Sequence, residues 1–468
     1  MFVEGVAILL ALAVSLIYNE SDTMGFLLSS GLNMGVGALI IGLTRNVSKD
    51  IGKREGFIIV ALVWIIFSLL GSLPYLFTGA IPNFTDAFFE TMSGFTTTGS
   101  SILNDIESLS HGILFWRSLT HWLGGMGIIV LSLAILPIFG IGGMQLYVAE
   151  VPGPTPDKIS PRIRQTAATM WVIYFILTVV ETFLLWIGKM PLFDAVCHSF
   201  ATMATGGFST KQASIAFWPS PYIQYVVILF MFIAGTNFTL SYFAIRGKFR
   251  YLLKDEEFKF YTIITLSFTI LIFTGLLIST QTGVEKAFRD ALFQVVSIIT
   301  TTGFVTVDYL LWQPVLIALI FSIFFFGGSA GSTGGGIKIM RIVLLFKNGY
   351  YELKRMVHPN AVIPLKFNNH SVDSKIVTNV LAFFVLYFMI FGVSTVVFML
   401  FEPDLETSMG AVATSLGNIG PGLGSVGPAE TFAHIHPAGK WFLSFLMLLG
   451  RLELFTILVL FSPSFWKQ

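Results

Sequence analysis

Apolar runs long enough to cross a lipid bilayer recur along the whole chain, and no other feature limits its fold as strongly. A transmembrane helix needs roughly 17–25 predominantly apolar residues. Ten runs are predicted crossings, near residues 2–18, 24–44, 56–78, 112–137, 165–188, 219–245, 257–280, 311–347, 374–400 and 438–462. The first run carries Glu4 and no basic segment precedes it, so we predict a retained helix and not a cleaved signal peptide.

The composition fits a chain that folds inside lipid. Hydrophobic residues make up 54% of the 468 residues, charged residues only 11%, and the mean hydropathy is +0.80. Because a soluble domain carries about 25% charged residues, this chain has too few charges to cover a water-exposed surface. Its fold class is therefore predicted as all-α integral membrane. The net charge of +1 comes without a separate basic face, so we expect no nucleic-acid partner.

The basic residues indicate which loops face the cytoplasm, because Lys and Arg favour that side. One set of loops holds 20 of the 27 basic residues. They are Arg45, Lys49, Lys53, Arg54, Lys158, Arg162, Arg164, Arg246, Lys248, Arg250, Lys254, Lys259, Lys338, Arg341, Lys347, Lys354, Arg355, Lys366, Lys375 and Lys467. Both termini and the loops near 45–55, 155–164, 246–259 and 347–375 are therefore predicted to be cytoplasmic.

Enzymatic chemistry finds little support in the sequence. Cys197 is the only cysteine, which excludes disulfides within the chain and cysteine-clustered metal sites. The seven histidines show no HExxH spacing, and Asp, Ser and His form no hydrolase-like motif. We therefore predict that the chain is not an enzyme.

Four short segments repeat along the chain, each between two predicted crossings on the external side. Each begins at a carboxylate and ends about three helical turns later at a glycine. The pairs are Asp86 and Gly99, Asp194 and Gly206, Asp290 and Gly303, and Glu406 and Gly420, with spacings of 13, 12, 13 and 14 residues. Since Asp is a good N-cap, each segment is predicted as a short re-entrant helix. The carboxylates either cap these helices or attract cations.

The chain after each short helix is a candidate cation site. Non-helical backbone at membrane depth survives only where protein or a water-filled cavity surrounds it. Pores for monovalent cations replace hydration water with rings of backbone carbonyls, and glycine adopts the required torsions most easily. The candidate residues are Thr97, Thr98, Gly99, Thr205, Gly206, Thr301, Thr302, Gly303, Asn418, Ile419 and Gly420. The alternative is a set of external turns rich in Gly and Thr.

A glycine-rich run interrupts the eighth predicted crossing between Gly327 and Gly336. So many glycine and hydroxyl residues cannot continue a stable helix. A phosphate-binding loop is excluded because Gly336 is followed by Ile337 and Lys338, not by Lys and Ser or Thr. The run is a candidate gate under the cation site, or alternatively a kinked helix packed on a neighbour. The candidate gate residues are Gly327, Gly328, Gly331, Gly334, Gly335, Gly336, Lys338 and Arg451.

Arg451 is placed by the sequence midway along the last crossing. A charge at the bilayer centre costs at least about 2.5–3.5 kcal/mol on insertion scales, so it should face a cavity or a partner. Glu453, two residues on, points to another side of the helix and is a poor partner. The expected role is an electrostatic barrier beside the glycine-rich run, with a structural pair elsewhere in the bundle as the alternative.

These motifs resemble the Trk/Ktr/HKT superfamily of potassium transporters from about residue 56 to the C-terminus. The likeness rests on Thr96-Thr-Thr-Gly-Ser-Ser, Ala204-Thr-Gly-Gly-Phe-Ser, Thr300-Thr-Thr-Gly-Phe and Asn418-Ile-Gly-Pro-Gly-Leu-Gly. The leading helix pair over 2–44 resembles the membrane subunits of bacterial Trk systems and not the shorter Ktr type. The resemblance implies that the candidate residues form a potassium selectivity filter. In that family, glycine at all four filter positions goes with potassium preference, whereas serine at the first goes with sodium.

The resemblance also implies an assembly and a location. It implies a homodimer with one pore per protomer in the bacterial inner (plasma) membrane, gated by the intramembrane loop and by a cytosolic nucleotide-binding ring of the TrkA type. No covalently bound cofactor is expected. Potassium ions would occupy the filter residues, and nucleotide would bind only the partner.

The predicted architecture is four unequal helix–pore loop–helix units around one central pore, preceded by two additional transmembrane helices. The expected units are 1–48 for the leading pair, then 49–155, 156–250, 251–366 with the glycine-rich run, and 367–468. The predicted function is potassium uptake through a channel-like pore. The alternative is a symporter coupled to sodium or protons, a class built from matched broken helices in inverted repeats. One broken crossing and four parallel loops favour the channel.

Overall fold

The computed structural model describes residues 1–45, 52–130, 159–361 and 363–467, and it is mostly helical. The α-helices, numbered in chain order, are α1 Phe2–Ile17, α2 Thr23–Thr44, α3 Lys53–Gly71, α4 Leu73–Thr78, α5 Phe84–Phe95, α6 His111–Val130, α7 Ile159–Ile187, α8 Leu192–Met203, α9 Pro221–Ala234, α10 Phe238–Ile245, α11 Phe249–Lys254, α12 Glu256–Ser279, α13 Val284–Ile299, α14 Pro314–Ile323, α15 Ile339–Val357, α16 Ser374–Phe398, α17 Leu405–Gly417, α18 Pro437–Arg451, α19 Phe455–Leu458 and α20 Pro463–Trp466. The predicted unit boundaries at 48/49 and 155/156 lie outside the described residues, as do Lys49, Lys158 and residues 131–137 of the fourth apolar run.

Long apolar helices account for part of the ten predicted crossings. Within the described ranges, five helices are long and apolar enough to cross a membrane, or up to seven if each of two bent pairs is one span. Two further apolar helices, α1 and α14, are shorter. The membrane-spanning character of the chain is thus supported, while the number ten stays a prediction.

Two predicted crossings are sharply bent at short breaks. Helices α9 and α10 meet at 114°, and α18 meets the segment Phe455–Phe461 at 110°. The prediction that only the glycine-rich run breaks a crossing is therefore wrong. Arg451 is the last residue of α18 and does not lie midway along a continuous helix. In the second break Glu453 and Leu454 both have positive φ, which a continuing helix does not allow.

A small β-hairpin is the one departure from helix and loop among the described elements. Strands β1 (Lys366–Phe367) and β2 (His370–Ser371) pair antiparallel on the side predicted to be cytoplasmic. The two residues between them, Asn368 and Asn369, have φ values of 47° and 68°. Positive φ at both central positions is the geometry of the tightest hairpin turns, and Asn tolerates it well.

The four predicted re-entrant helices lie in the interior. Helices α5, α8, α13 and α17 are almost wholly buried over their C-terminal turns. The long helices around them expose large apolar side chains outward, as Ile278 does at 81%. This is the arrangement expected in lipid, where the outer surface is as apolar as the core. The chain that follows each short helix is thereby held at the centre.

Carboxylates do not begin the four short helices in the predicted way. Asp86 and Asp194 are the third residues of α5 and α8, and Asp290 lies inside α13. The N-caps are Asn83, Pro191, Gly283 and Asp404. Of the predicted carboxylates, Asp86 pairs with Lys440 at 2.6 Å, and Asp194 accepts a hydrogen bond from the Thr210 hydroxyl at 2.6 Å. Asp404 caps α17, and hydrogen bonds from Thr407 lower the pKa of its carboxyl group.

Candidate functional site

The backbone after each buried short helix follows the same torsion pattern. Four non-glycine residues have left-handed φ values of 50–59°, and they are Thr97, Thr205, Thr301 and Asn418. Two residues further on, four glycines have φ values of 81–105°, and they are Gly99, Gly207, Gly303 and Gly420. Left-handed torsions are costly for most residues, so a fourfold recurrence at one spacing marks a specific backbone shape. We call the four tripeptides, 97–99, 205–207, 301–303 and 418–420, the four-segment ring.

In the second segment the torsions single out a glycine that the sequence prediction passed over. Gly207, with φ of 81°, is the counterpart of Gly99, whereas Gly206 is the counterpart of Thr98. The distance from Asp194 to the ring glycine thereby becomes 13 residues, as in the first and third segments. Gly206 remains part of the ring, as its middle residue.

The four segments close into a cycle in chain order. A Cβ added to Gly99 would overlap the carbonyl oxygen of Gly206, and one at Gly207 would overlap that of Thr302. A Cβ at Gly303 would overlap the carbonyl oxygen of Ile419. The cycle returns to its start because a Cβ at Gly420 would lie 3.0 Å from the carbonyl oxygen of Thr98. Each ring glycine therefore sits against a backbone carbonyl of the next segment, with no room for a side chain at Gly99, Gly207 and Gly303 and a tight fit at Gly420.

One cavity opens on the outer side of the ring. Its lining includes all four ring glycines, Gly99, Gly207, Gly303 and Gly420. It continues along the residues that follow them, among them Ser100, Phe208 and Pro421, and reaches Arg117 and Lys211. The ring thus borders an open, largely polar mouth in which four stretches of backbone meet.

Behind the ring, side chains bind one another, and among the contacts of this layer none goes to a ring carbonyl. The hydroxyl of Thr98 lies 2.8 Å from that of Thr96, and Thr302 repeats this contact with Thr300. The Asn418 amide donates to the Thr98 hydroxyl at 2.9 Å, joining the fourth segment to the first. The four segments are therefore supported from outside the cycle.

Three polar residues on the short helices hold the chain just beyond the ring, and the sequence prediction missed them. Glu90, His198 and Gln294 each lie nine residues before a ring glycine. Glu90 accepts from the Ile102 amide at 2.9 Å, and His198 lies 2.9 Å from the Ser209 hydroxyl. Gln294 donates to the Thr306 hydroxyl at 3.4 Å. The available signal was the recurrence of a polar residue at that spacing.

The glycine loop, residues 327–336, lies against the opposite side of the ring from the outer cavity. The Thr333 hydroxyl donates to the Met203 carbonyl at the end of α8, at 2.9 Å. The Gly335 amide donates to the Thr301 hydroxyl at 2.6 Å. A Cβ on Gly335 would lie 2.5 Å from the carbonyl oxygen of Gly417, so no side chain fits there. The loop therefore touches the inner ends of the second, third and fourth segments.

The two predicted gate cations bind successive carbonyls of this loop. Arg451 donates through Nη1 to the Thr333 carbonyl at 2.9 Å, and Lys338 Nζ donates to the Gly334 carbonyl. Arg451 is 4% exposed, and within the described part of the chain no carboxylate lies at ion-pair distance from it. Glu453 pairs instead with Arg341, consistent with the prediction that it is a poor partner for Arg451.

Glu257 on α12 binds the glycine loop and the start of α15, and nothing in the sequence pointed to it. One oxygen of its buried carboxylate accepts the amide of Ala330 at 2.7 Å and that of Met340 at 3.0 Å. The loop is also closed at its neck, where the Gly327 amide donates to the Ile337 carbonyl at 2.8 Å. The loop is therefore a defined structure. It is held at its base, where Gly327 meets Ile337, and at its tip, where Thr333 and Gly335 contact the ring side.

The fold and the ring define an integral membrane transport protein, and comparisons with known proteins agree. The family model TrkH, described as a cation transport protein, matches residues 32–468. The Trk system potassium uptake protein TrkH of Salmonella typhimurium is 44% identical over 97% of this chain and 95% of that protein. The Escherichia coli protein of the same name is 43% identical over the same shares. The crystal structure of the potassium transporter TrkH from Vibrio parahaemolyticus superposes with a TM-score of 0.92 at 39% identity, covering 100% of this chain and 97% of that one.

The chain belongs to the TrkH family. The resemblance drawn from the motifs is thereby confirmed, and the chain is a multi-pass membrane transport protein and not an enzyme.

Proposed function

We propose that this chain takes up potassium through a channel-like pore whose selectivity filter is the four-segment ring. The observation that carries the proposal is the closed cycle, in which each ring glycine packs against a carbonyl of the next segment. The potassium uptake assigned by name to its relatives supports the choice of ion. The ring and its four short helices also support the four-unit architecture predicted above.

The chemistry follows from the backbone. Torsions that alternate in hand turn successive carbonyls to one side, and carbonyl oxygens can replace the hydration shell of a potassium ion. These stretches begin close to the helix ends: Asn418 is the first residue after α17, and Thr97, Thr205 and Thr301 are the second residues after α5, α8 and α13. The C-terminal ends of α5, α8, α13 and α17 carry partial negative charge and favour a cation nearby.

The glycine loop is the proposed gate. It touches three of the four segments from the inner side, and it is bound by Arg451 and Lys338, both positively charged. A loop in that position obstructs the path, and fixed positive charge beside it raises the energy of a passing cation. Opening would require the loop to leave its contacts with Met203 and Thr301.

An ion-coupled symporter is the second candidate, because broken helices are typical of that class. The bends after α9 and α18 join the glycine loop as breaks in apolar segments. All three, however, follow a ring segment in the same chain direction. This parallel placement favours one central pore over two inverted halves that rock against each other.

The assembly is proposed from the family resemblance and the charge pattern. A homodimer in the bacterial inner membrane, with both termini cytoplasmic, would present the loops near 246–259 and 347–366 to a TrkA-like nucleotide-binding ring. Charge reversal at Arg250, Lys254, Lys354 and Arg355 should weaken co-purification with that partner and leave the membrane fold intact. Unaltered co-purification would place the docking surface elsewhere.

Recording of the purified protein in lipid bilayers, with potassium and sodium in turn, tests the proposed filter. Replacing Gly99 with Ser adds a side chain where the Gly206 carbonyl leaves no room, and it strains a left-handed residue. The preference for potassium over sodium should fall. A Gly99→Ser protein that keeps full discrimination and flux would remove the first segment from the filter.

A further inference from the structure

A buried ion pair joins the outer ends of the first and second ring segments. Arg117 on α6 and Glu90 on α5 are 2% and 0% exposed, with Arg117 Nε 2.6 Å from Glu90 Oε1. Arg117 also donates through Nη1 to the Ser209 carbonyl at 2.8 Å, just beyond Gly207. Glu90 in turn holds Ser101 and Ile102, just beyond Gly99. The two stretches are linked through one carboxylate and one guanidinium.

The same guanidinium also fixes the aromatic ring that follows Gly207. Arg117 lies 3.7 Å from the centroid of the Phe208 ring, and His121 stacks on that ring at 4.0 Å. The His121 ring fills the space in which a Cβ on Gly206 would lie. Phe208 thus packs between two side chains of α6. The position of α6 therefore determines the position of the second segment.

The other junctions of the cycle use neutral contacts close to the ring. The second and third segments meet through the Ala216 amide and the Val305 carbonyl, at 3.1 Å. The third and fourth meet where the Tyr309 hydroxyl donates to the Gly422 carbonyl, at 2.7 Å. The fourth and first meet where the Ser100 hydroxyl donates to the Gly420 carbonyl, at 3.1 Å. Neutral contacts thus join the segments at the other three junctions, so joining segments does not by itself explain the charged pair at the first junction.

We propose that Arg117 and Glu90 are positioning residues that set ion selectivity, because they fix the distance between the first two ring segments. The inference rests on the proposed function, since it assumes that the ring selects the ion. Arg117 needs its planar fork to bind Glu90 and the Ser209 carbonyl together, which a lysine cannot do. Glu90 also balances the positive charge that Arg117 places on the lining of the outer cavity.

Arg117→Lys is the decisive variant because it keeps the positive charge and removes the simultaneous contact with Glu90 and the Ser209 carbonyl. The potassium-over-sodium flux ratio in liposomes should fall roughly tenfold, the scale of one hydrogen bond to a charged group. Potassium should raise the melting temperature of the purified wild-type protein more than sodium does. In Arg117→Lys this difference between the two ions should be smaller. Arg289→Lys is the matched control, since Arg289 on α13 is also buried but binds Glu285 and Gln224, away from the ring.

Two further variants separate position from charge. Glu90→Gln leaves Arg117 uncompensated at the mouth, and flux should fall together with selectivity. The double variant Glu90→Gln with Arg117→Gln restores neutrality but not the linkage, so its selectivity should stay low. Full recovery in the double variant would show that only charge matters and would overturn the proposal.

Each remaining outcome also decides the question. A folded Arg117→Lys protein with wild-type selectivity overturns the positioning role. Failure of both Arg117→Lys and Glu90→Gln to fold, while Arg289→Lys folds, makes the pair a structural element only. If Gly99→Ser alters selectivity and Arg117→Lys does not, the filter proposal survives and this inference falls. If neither variant alters it, the filter proposal falls as well.

Discussion

The four-segment ring and the glycine loop are both built on glycine, and they use it differently. In the ring, each glycine faces the backbone of the next segment, so four stretches brace one another in a closed cycle. The loop has no such cycle. It is held by the side chains of Thr301, Arg451 and Glu257 and by separate backbone hydrogen bonds to Gly235 and Phe238. Backbone packed on backbone resists deformation, whereas a loop held by a few hydrogen bonds can be released. The difference fits the proposed roles, ion selection in the ring and gating in the loop.

The sharpest way to break this comparison is to substitute the two neighbouring glycines of the second segment. A Cβ on Gly207 would overlap the Thr302 carbonyl, whereas one on Gly206 meets the His121 side chain. The left-handed torsion of Gly207 adds about 1–2 kcal/mol for any side chain. Potassium transport should therefore fall more than about tenfold in Gly207→Ala and less in Gly206→Ala, where the His121 ring and not backbone has to move. Equal losses in bilayer recordings would mean that the torsions do not identify the filter glycine.

Removing the glycine loop should raise potassium transport, whereas substituting the ring glycines should lower it. The two ends of the loop already meet, since Gly327 is hydrogen-bonded to Ile337. Deleting residues 328–335 should therefore leave the flanking helices in place, raise potassium flux by roughly tenfold, and keep the potassium-over-sodium ratio. A well-folded deletion protein that conducts no faster than the intact chain would contradict the gating role.

Substitutions at Arg451 test whether the proposed gate acts through positive charge as well as through the volume of the glycine loop. Two like charges about 8 Å apart repel by roughly 2 kcal/mol at an effective dielectric near 20. Since about 1.4 kcal/mol corresponds to tenfold in rate, Arg451→Gln should raise flux by up to about tenfold where this step limits transport. Arg451→Lys should change it less because the charge remains. A folded Arg451→Gln protein with flux at or below that of wild type removes the barrier role.

The smallest effect is expected at the base of the loop. Glu257→Ala removes the acceptor of the Ala330 and Met340 amides, which should loosen the loop and raise flux about twofold to threefold. Glu256→Gln is the control, because Glu256 pairs with Lys347 at 2.5 Å and binds no loop amide. Equal flux in the two variants, measured on proteins of matched thermal stability, would remove Glu257 from the gate.

The sequence predicted the ring segments because they occur four times, and repetition separates a pattern from a chance turn. The register of the second segment was ambiguous, since Gly206 and Gly207 adjoin and only the torsions distinguish them. The helix around Asp290 begins at Val284, so the carboxylate could not mark its start. Local sequence locates a motif well and its boundaries less well.

Contacts between distant parts of the chain lay beyond the sequence. Glu257 binds backbone amides more than seventy residues away, and amide partners leave no side-chain signature. The bend after Arg451 lies within an apolar run and is centred on Glu453 and Leu454, whose positive φ values the sequence did not reveal. Charge at Glu90 and Arg117 was visible, but their pairing across two helices was not.

The middle position of the ring carries three residue types, threonine at Thr98 and Thr302, glycine at Gly206 and isoleucine at Ile419. In an assembly of four identical subunits, one codon change would alter every wall of the pore at once. Here each segment of the proposed pore is encoded separately, so a mutation changes one quarter of the ring directly and affects the others only through contacts between segments. The ion preference of such a pore can change in small steps, and each segment can acquire its own supporting residues, as the first two have in Glu90 and Arg117.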